Sequence, residues 1–211
     1  MFGSGKAAII AALVIAFIVT ALLGPVVIPA LRRLKAGQSI REEGPQSHQV
    51  KAGTPTMGGI MIIAGAVVAT IISCGISKES IVLSLSFILF GLIGFSDDYV
   101  KVVKKRNLGL TAKQKLLFQV LIASVVAVYT AMLTSRGTGI YIPFWGNYFM
   151  LRLLYLPFVI FVLVAMTNAV NLTDGLDGLA SGCSAIVAGA FAVMGYMTGE
   201  NTAAAFSAAV A

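Results

Sequence analysis

Asn168-Ala-Val-Asn171-Leu-Thr-Asp174-Gly-Leu-Asp177-Gly178 is a carboxylate-bearing, glycine-punctuated break between two long apolar runs, residues 153–170 and 179–197. Each run is close to the roughly 20 residues that cross a hydrocarbon core, so the break reads as a short connection between two membrane spans. Nothing basic sits in it. Short cytoplasmic connections usually carry Lys or Arg, so an acid-only connection there calls for a reason beyond topology. Two readings stay open. Asp174 and Asp177 can be turn and N-cap residues, with Gly175 and Gly178 supplying permissive backbone. Alternatively, the two carboxylates and the amides of Asn168 and Asn171, held where helices meet water, bind a cation or a charged substrate.

The composition agrees with a bilayer as solvent. Hydrophobic residues make up 58% of the 211-residue chain and charged residues 11%, against about 25% charged in a soluble domain, and the mean hydropathy is +0.95. Further apolar runs cover residues 7–31, 57–76, 81–96 and 116–134. With the two around the acidic break they make six expected spans. The first is too long for the core of a signal peptide and ends in Arg32-Arg33-Leu-Lys35, so it is expected to be retained. Residues 202–211 read as the start of a seventh span. The fold class expected is an all-α polytopic membrane protein, one integral membrane domain over 1–211, with a short β-hairpin in an extracytoplasmic loop turning near Trp145–Asn147. Cys74 and Cys183 both fall in apolar runs and read as small buried hydrophobes, neither disulfide nor metal ligand.

Orientation follows from the basic residues. Eleven of them (Arg32, Arg33, Lys35, Arg41, Lys51, Lys101, Lys104, Lys105, Arg106, Lys113 and Lys115) flank the connections after spans one and three, and four (Lys6, Lys78, Arg136, Arg152) lie on the other side. The bias places the odd-numbered connections in the cytoplasm and the N-terminus outside. The net charge of +7 is then a topology signal and an attraction to anionic lipid, with no nucleic acid as partner. On this parity all four aspartates of the chain, Asp97, Asp98, Asp174 and Asp177, emerge on one face. No acid lies at the centre of a span, which argues against a transporter or channel with an ion pathway through the bilayer.

Two other stretches belong to that face. In Gly94-Phe-Ser-Asp97-Asp98-Tyr-Val-Lys101, the neighbouring carboxylates point about 100° apart on a helix, yet Lys101 is i+4 from Asp97 and i+3 from Asp98. At the end of a descending span both meet the negative end of the helix dipole, so a basic group or an ion must compensate; a solvated helix end with paired charges is the plainer reading. In Lys51-Ala-Gly53-Thr-Pro-Thr56-Met-Gly-Gly59, Thr54 reads as an N-cap and Pro55 as the first helical residue of span two. Hydroxyls, free backbone N–H groups and Lys51 at such a terminus suit an anion, although ordinary capping needs the same residues. His48, the sole histidine, reads as a surface residue. Asn171-Leu-Thr173 matches a glycosylation sequon but lies on the expected cytoplasmic face.

Gly53-Thr-Pro-Thr-Met-Gly-Gly59, Gly94-Phe-Ser-Asp-Asp-Tyr-Val-Lys101 and Asn168-Ala-Val-Asn-Leu-Thr-Asp-Gly-Leu-Asp-Gly178, in this order and each beside the right span, closely resemble the phospho-N-acetylmuramoyl-pentapeptide transferase family. The wider polyprenyl-phosphate N-acetylhexosamine-1-phosphate transferase superfamily shares the aspartate pair and is less similar around Gly53–Gly59. The resemblance implies a bacterial inner-membrane enzyme of ten spans with its active face in the cytoplasm. It would transfer phospho-N-acetylmuramoyl-pentapeptide from UDP-N-acetylmuramoyl-pentapeptide to undecaprenyl phosphate, giving lipid I and UMP in peptidoglycan synthesis. It implies catalytic roles for Asp97, Asp98 and Asp174, with Asp97 the candidate for deprotonating the lipid phosphate. Substrate contacts are implied for Lys51, Thr56, Lys101, Asn171 and Asp177. Mg²⁺ is the implied cofactor, with Asp98, Asn171 and Asp174 as candidate ligands, and a homodimer is among the assemblies it allows. The family's principal magnesium-binding aspartate and a histidine-rich loop have no counterpart in these residues. The chain is therefore expected to be the N-terminal portion of such an enzyme and inactive alone. A non-catalytic membrane assembly partner on the same scaffold is the remaining alternative.

Overall fold

A computed structural model describes residues 5–33, 56–103, 109–134, 137–142, 147–174 and 178–211. Its elements in chain order are α1 (Gly5–Arg33), α2 (Gly59–Cys74), α3 (Lys78–Val103), α4 (Ala112–Leu133), β1 (Gly139–Tyr141), β2 (Tyr148–Met150), a 3₁₀ turn (Arg152–Leu154), α5 (Tyr155–Thr173), α6 (Leu179–Met197) and α7 (Asn201–Val210). Among the described residues five helices, α1, α3, α4, α5 and α6, are long and apolar enough to cross a membrane. The molecule is a multi-pass membrane protein. Among the described residues the second of the six expected spans is represented by α2, which has 16 residues. At 1.5 Å per residue it reaches about 24 Å, short of a hydrocarbon core of about 30 Å.

Local chemistry sets these ends. Thr54 and Pro55, expected to cap and open span two, lie outside the described residues; the helix described there begins at Gly59. Met57, at φ 67, adopts a left-handed conformation that a right-handed helix does not contain. At the other end Gly75, at φ 75, donates its N–H to the Ile71 carbonyl and stops the helix. Ser77 and Ser80 then cap α3 reciprocally. The Ser80 N–H donates to Ser77 Oγ at 3.0 Å and the Ser77 N–H to Ser80 Oγ at 2.8 Å, so the helix starts at Lys78, ahead of the apolar run. It also continues past Ser96 to Val103, carrying Asp97, Asp98 and Lys101 on its last turns.

The chain forms two compact units, residues 1–111 with 181–211, and residues 112–180. In the first, α7 packs on α1, α2 and α3, and α2 also packs on α1 and α3. The core there is alanine: Ala12 and Ala16 of α1, Ala66 and Ala69 of α2, and Ala205 and Ala209 of α7. Large residues such as Phe17, Leu22 and Val26 face outward. This is the inverse of a soluble core. Lipid is as apolar as leucine, so helices gain by close backbone approach across small residues, while bulky side chains meet the acyl chains. Residues 202–211, where a seventh span is expected to start, fall on α7 and its C-cap Ala211, and Ala204, Ala205, Ala208 and Ala209 of the helix are buried. Cys74 is half-buried, but Cys183 is exposed, so the expectation of a buried thiol fails there.

In the second unit α4 packs on α5. Gln119, Ala123 and Ala127, at successive i, i+4 positions, are its buried face. The expected hairpin is present, β1 pairing antiparallel with β2 in the register Gly139↔Met150, Ile140↔Phe149, Tyr141↔Tyr148. Ile142 N–H donates to the Asn147 carbonyl at 3.4 Å. Trp145 lies outside the described residues.

Candidate functional site

The last turns of α3 carry a polar cluster. Lys101 Nζ stands 2.6 Å from Asp97 Oδ2 and 3.3 Å from Asp98 Oδ1, the i+4 and i+3 pairings expected from the spacing. Two segments distant in sequence close on it. Thr56, just ahead of α2, donates its hydroxyl to Asp98 Oδ2 at 2.7 Å. Leu110, just ahead of α4, donates its backbone N–H to Asp97 Oδ1 at 2.9 Å. Phe95 and Tyr99 stack alongside with ring centroids 6.1 Å apart.

The two carboxylates are not equivalent. Asp97 is 13% exposed and holds a short ion pair and a backbone N–H, whereas Asp98 is 34% exposed and its contact to the ammonium is the longer one. Among the described residues, the two carboxylates and one ammonium leave a net charge of −1, at a helix end whose carbonyls add partial negative charge. Such a cluster attracts a cation. A phosphate would be repelled unless a cation or further lysines came with it.

In the second unit Asn171 lies in the last turn of α5, and Asp174 is its C-cap, donating its N–H to the Val170 carbonyl at 3.2 Å. Both side chains are exposed. Asp174 thus ends a helix here. One turn earlier, Asn168 donates from Nδ2 to Gln119 Oε1 at 2.8 Å and to the Val164 carbonyl at 2.8 Å. Gln119 is fully buried, so this amide pair ties α5 to α4 immediately before the exposed polar residues. Gly178 has φ +80, the permissive backbone expected of it. Of the residues read from sequence, Thr56, Asp97, Asp98 and Lys101 are brought together; Asn171 and Asp174 belong to the other unit; Lys51 and Asp177 lie outside the described residues.

Three contributors escape the sequence reading. Gln119 had a signal, as an amide inside an apolar run. Gly109 and Leu110 had almost none, because a hydrogen bond across 13 positions leaves no periodic trace. Among the described residues no three His, Cys, Asp or Glu side chains form a group that could hold a metal ion. What the cluster offers is oxygen alone: the Asp98 carboxylate, the more open of the two, and the Thr56 hydroxyl. Such donors suit a hard cation that keeps most of its water.

Comparison with known proteins joins these segments. Residues 51–63 match phospho-N-acetylmuramoyl-pentapeptide-transferase signature 1, a stretch that includes Thr56. Residues 80–211 match the family model Glycosyl transferase family 4, a stretch that includes Asp97, Asp98, Lys101, Asn171 and Asp174. Three similar proteins bear the name phospho-N-acetylmuramoyl-pentapeptide-transferase. That of Bacillus subtilis (strain 168) is 53% identical over 199 residues, covering 92% of this chain and 61% of the relative. That of Oceanobacillus iheyensis is 51% identical over 206 residues, covering 94% and 62%, and that of Heliobacterium modesticaldum 50% over 201, covering 95% and 62%. The chain therefore spans about three fifths of the length of these curated relatives. With the family match running through more than half of its residues and through the aspartate helix itself, the chain belongs to glycosyl transferase family 4.

Proposed function

We propose that this chain forms part of a phospho-N-acetylmuramoyl-pentapeptide transferase and that the cluster at the end of α3 is where its phosphates are handled. In the reaction an oxygen of undecaprenyl phosphate attacks the sugar-linked phosphorus of UDP-N-acetylmuramoyl-pentapeptide. A new diphosphate bond forms, the bond from that phosphorus to the bridging oxygen breaks, and UMP leaves. The observation that carries the reading is the Thr56–Asp98 hydrogen bond, which makes the signature segment and the family's aspartate helix one polar site. The identity to the relatives, sustained over nine tenths of the chain, supports the same reading.

Each residue then has a proposed task. Lys101, shared by both aspartates, meets phosphate charge, and Thr56 fixes Asp98. Asp97 supplies the anchored anion beside the attacking oxygen and is the candidate to take its proton. Lys51, Asn171 and Asp177 contribute to substrate binding, and Asp174 to catalysis. Mg²⁺ is the proposed cofactor, with Asp98, Asn171 and Asp174 as candidate ligands; when bound it neutralises charge on the diphosphate. The test is UMP release by a chain of the relatives' length carrying residues 1–211 unchanged. Release is expected to need both substrates and Mg²⁺; release independent of undecaprenyl phosphate, or none, would refute the proposal.

The site is proposed to face the cytoplasm of a bacterial inner membrane, with the N-terminus outside. With Cys74 and Cys183 replaced by Ser, single cysteines at Gln38, Asn107 and Thr173 are expected to label only from the cytoplasm, and one at Gly139 only from outside. The basic asymmetry is the reason. Labelling of Asn107 and Gly139 from the same side would contradict it.

A further inference from the structure

Asp97 is gripped from a direction that no local pairing explains. Its Oδ2 takes Lys101 from its own helix, while Oδ1 takes the Leu110 N–H from a segment that follows the basic connection. The residue presenting that N–H is Gly109, at φ +58, where L side chains are disfavoured. A Cβ on Gly109 would stand 2.5 Å from Asp97 Oδ1 and 2.9 Å from Lys101 Cε. Backbone conformation disfavours a side chain at Gly109, and a Cβ there would also push aside the Asp97 carboxylate and the Lys101 arm, the groups of the site itself.

We propose that Gly109 and the backbone N–H of Leu110 form a positioning clamp for Asp97. This deepens the transferase reading and rests on it for its catalytic consequence. A carboxylate has about four lone-pair directions. The clamp and Lys101 occupy one on each oxygen, so the two that remain are aimed. Gly109 and Leu110 are positioning residues, acting through Asp97 and not on substrate.

The clamp itself is tested on the 211-residue chain in detergent micelles, by hydrogen exchange at the Leu110 amide. That amide is expected to be protected in the wild type and to exchange faster in Asp97→Ala, while amides in the interior of α2 keep their rates. Unchanged exchange at Leu110 overturns the proposal. The consequence is tested in a chain of the relatives' length. Gly109→Ala and Gly109→Asn are both expected to lower kcat by roughly 100-fold with little change in KM for the nucleotide sugar, as for a misplacement of about 1 Å. Asn tolerates positive φ better than Ala but also carries a Cβ. A Gly109→Asn enzyme with normal turnover would therefore mean that only backbone strain mattered, and the positioning role would be wrong. Replacing Leu110 by its α-hydroxy analogue, which turns the amide into an ester, removes only the donor and is expected to lower kcat by about tenfold; an unchanged kcat counts against the clamp. Normal turnover in Asp97→Asn would remove Asp97 from the reaction instead, and the amide exchange would then decide the clamp alone.

Discussion

Asp97→Asn, in a chain of the relatives' length, is expected to lower turnover by on the order of 10³-fold while leaving nucleotide-sugar binding near its wild-type value. The amide oxygen of Asn can still accept the Leu110 N–H now held at 2.9 Å, so the clamp and the helix end persist. What disappears is the negative charge 2.6 Å from Lys101 and any capacity to take a proton from the attacking phosphate. On the proposed reading both act in the transition state. Ground-state binding of a dianionic substrate gains, if anything, from a less neutralised ammonium, so the effect falls on kcat. Single-turnover rates with saturating nucleotide sugar, beside a direct binding measurement, separate the two. Near-normal turnover would take Asp97 off the list of catalytic residues.

Gly65→Ala is expected to destabilise the first unit by about 1–3 kcal/mol, as overpacking does. Gly65 lies on α2 against α1, where an added Cβ would collide with Thr20 Oγ1 and come within 3.0 Å of the Ala16 carbonyl oxygen. The hydroxyl can rotate or be removed, but the carbonyl belongs to helix backbone and cannot. Thr20→Ala in the same chain is therefore expected to recover only part of the loss. It also deletes the Thr20 hydrogen bond to the Met61 carbonyl, long at 3.4 Å. Thermal unfolding in detergent followed by size-exclusion chromatography checks both variants; full tolerance of Gly65→Ala would mean that α1 and α2 are not held by close approach.

The spans were legible in the sequence because bilayer thickness imposes a length and an apolar composition that few other folds share. Residues 179–197 coincide with α6. The ends were less legible wherever something other than hydropathy sets them. The serine cap at Ser77 and Ser80 starts α3 within polar sequence, and paired charges carry it on to Val103. Met57 breaks α2 through a backbone angle that methionine rarely adopts. The site divides in the same way. Asp97, Asp98 and Lys101 were readable because helix geometry brings i, i+3 and i+4 together. Parity set the Thr56 stretch on their face without pairing it to Asp98, and the contacts of Gly109 and Leu110 and the pairing of Gln119 with Asn168 were not readable. Their partners are 13 to 49 positions away, a separation that only packing closes.

The most direct test of a single working site is a double-mutant cycle between Thr56→Ala and Asp98→Asn, read as kcat/KM in a chain of the relatives' length. Residues in contact within one polar network couple by about 0.5–3 kcal/mol, whereas independent sites add to within about 0.3–0.5 kcal/mol. With the Thr56 hydroxyl 2.7 Å from Asp98 Oδ2, the double variant is expected to cost little more than the worse single variant, a coupling of about 1 kcal/mol or more. Strict additivity of the two losses would contradict the account, placing the signature segment and the aspartate helix in separate tasks.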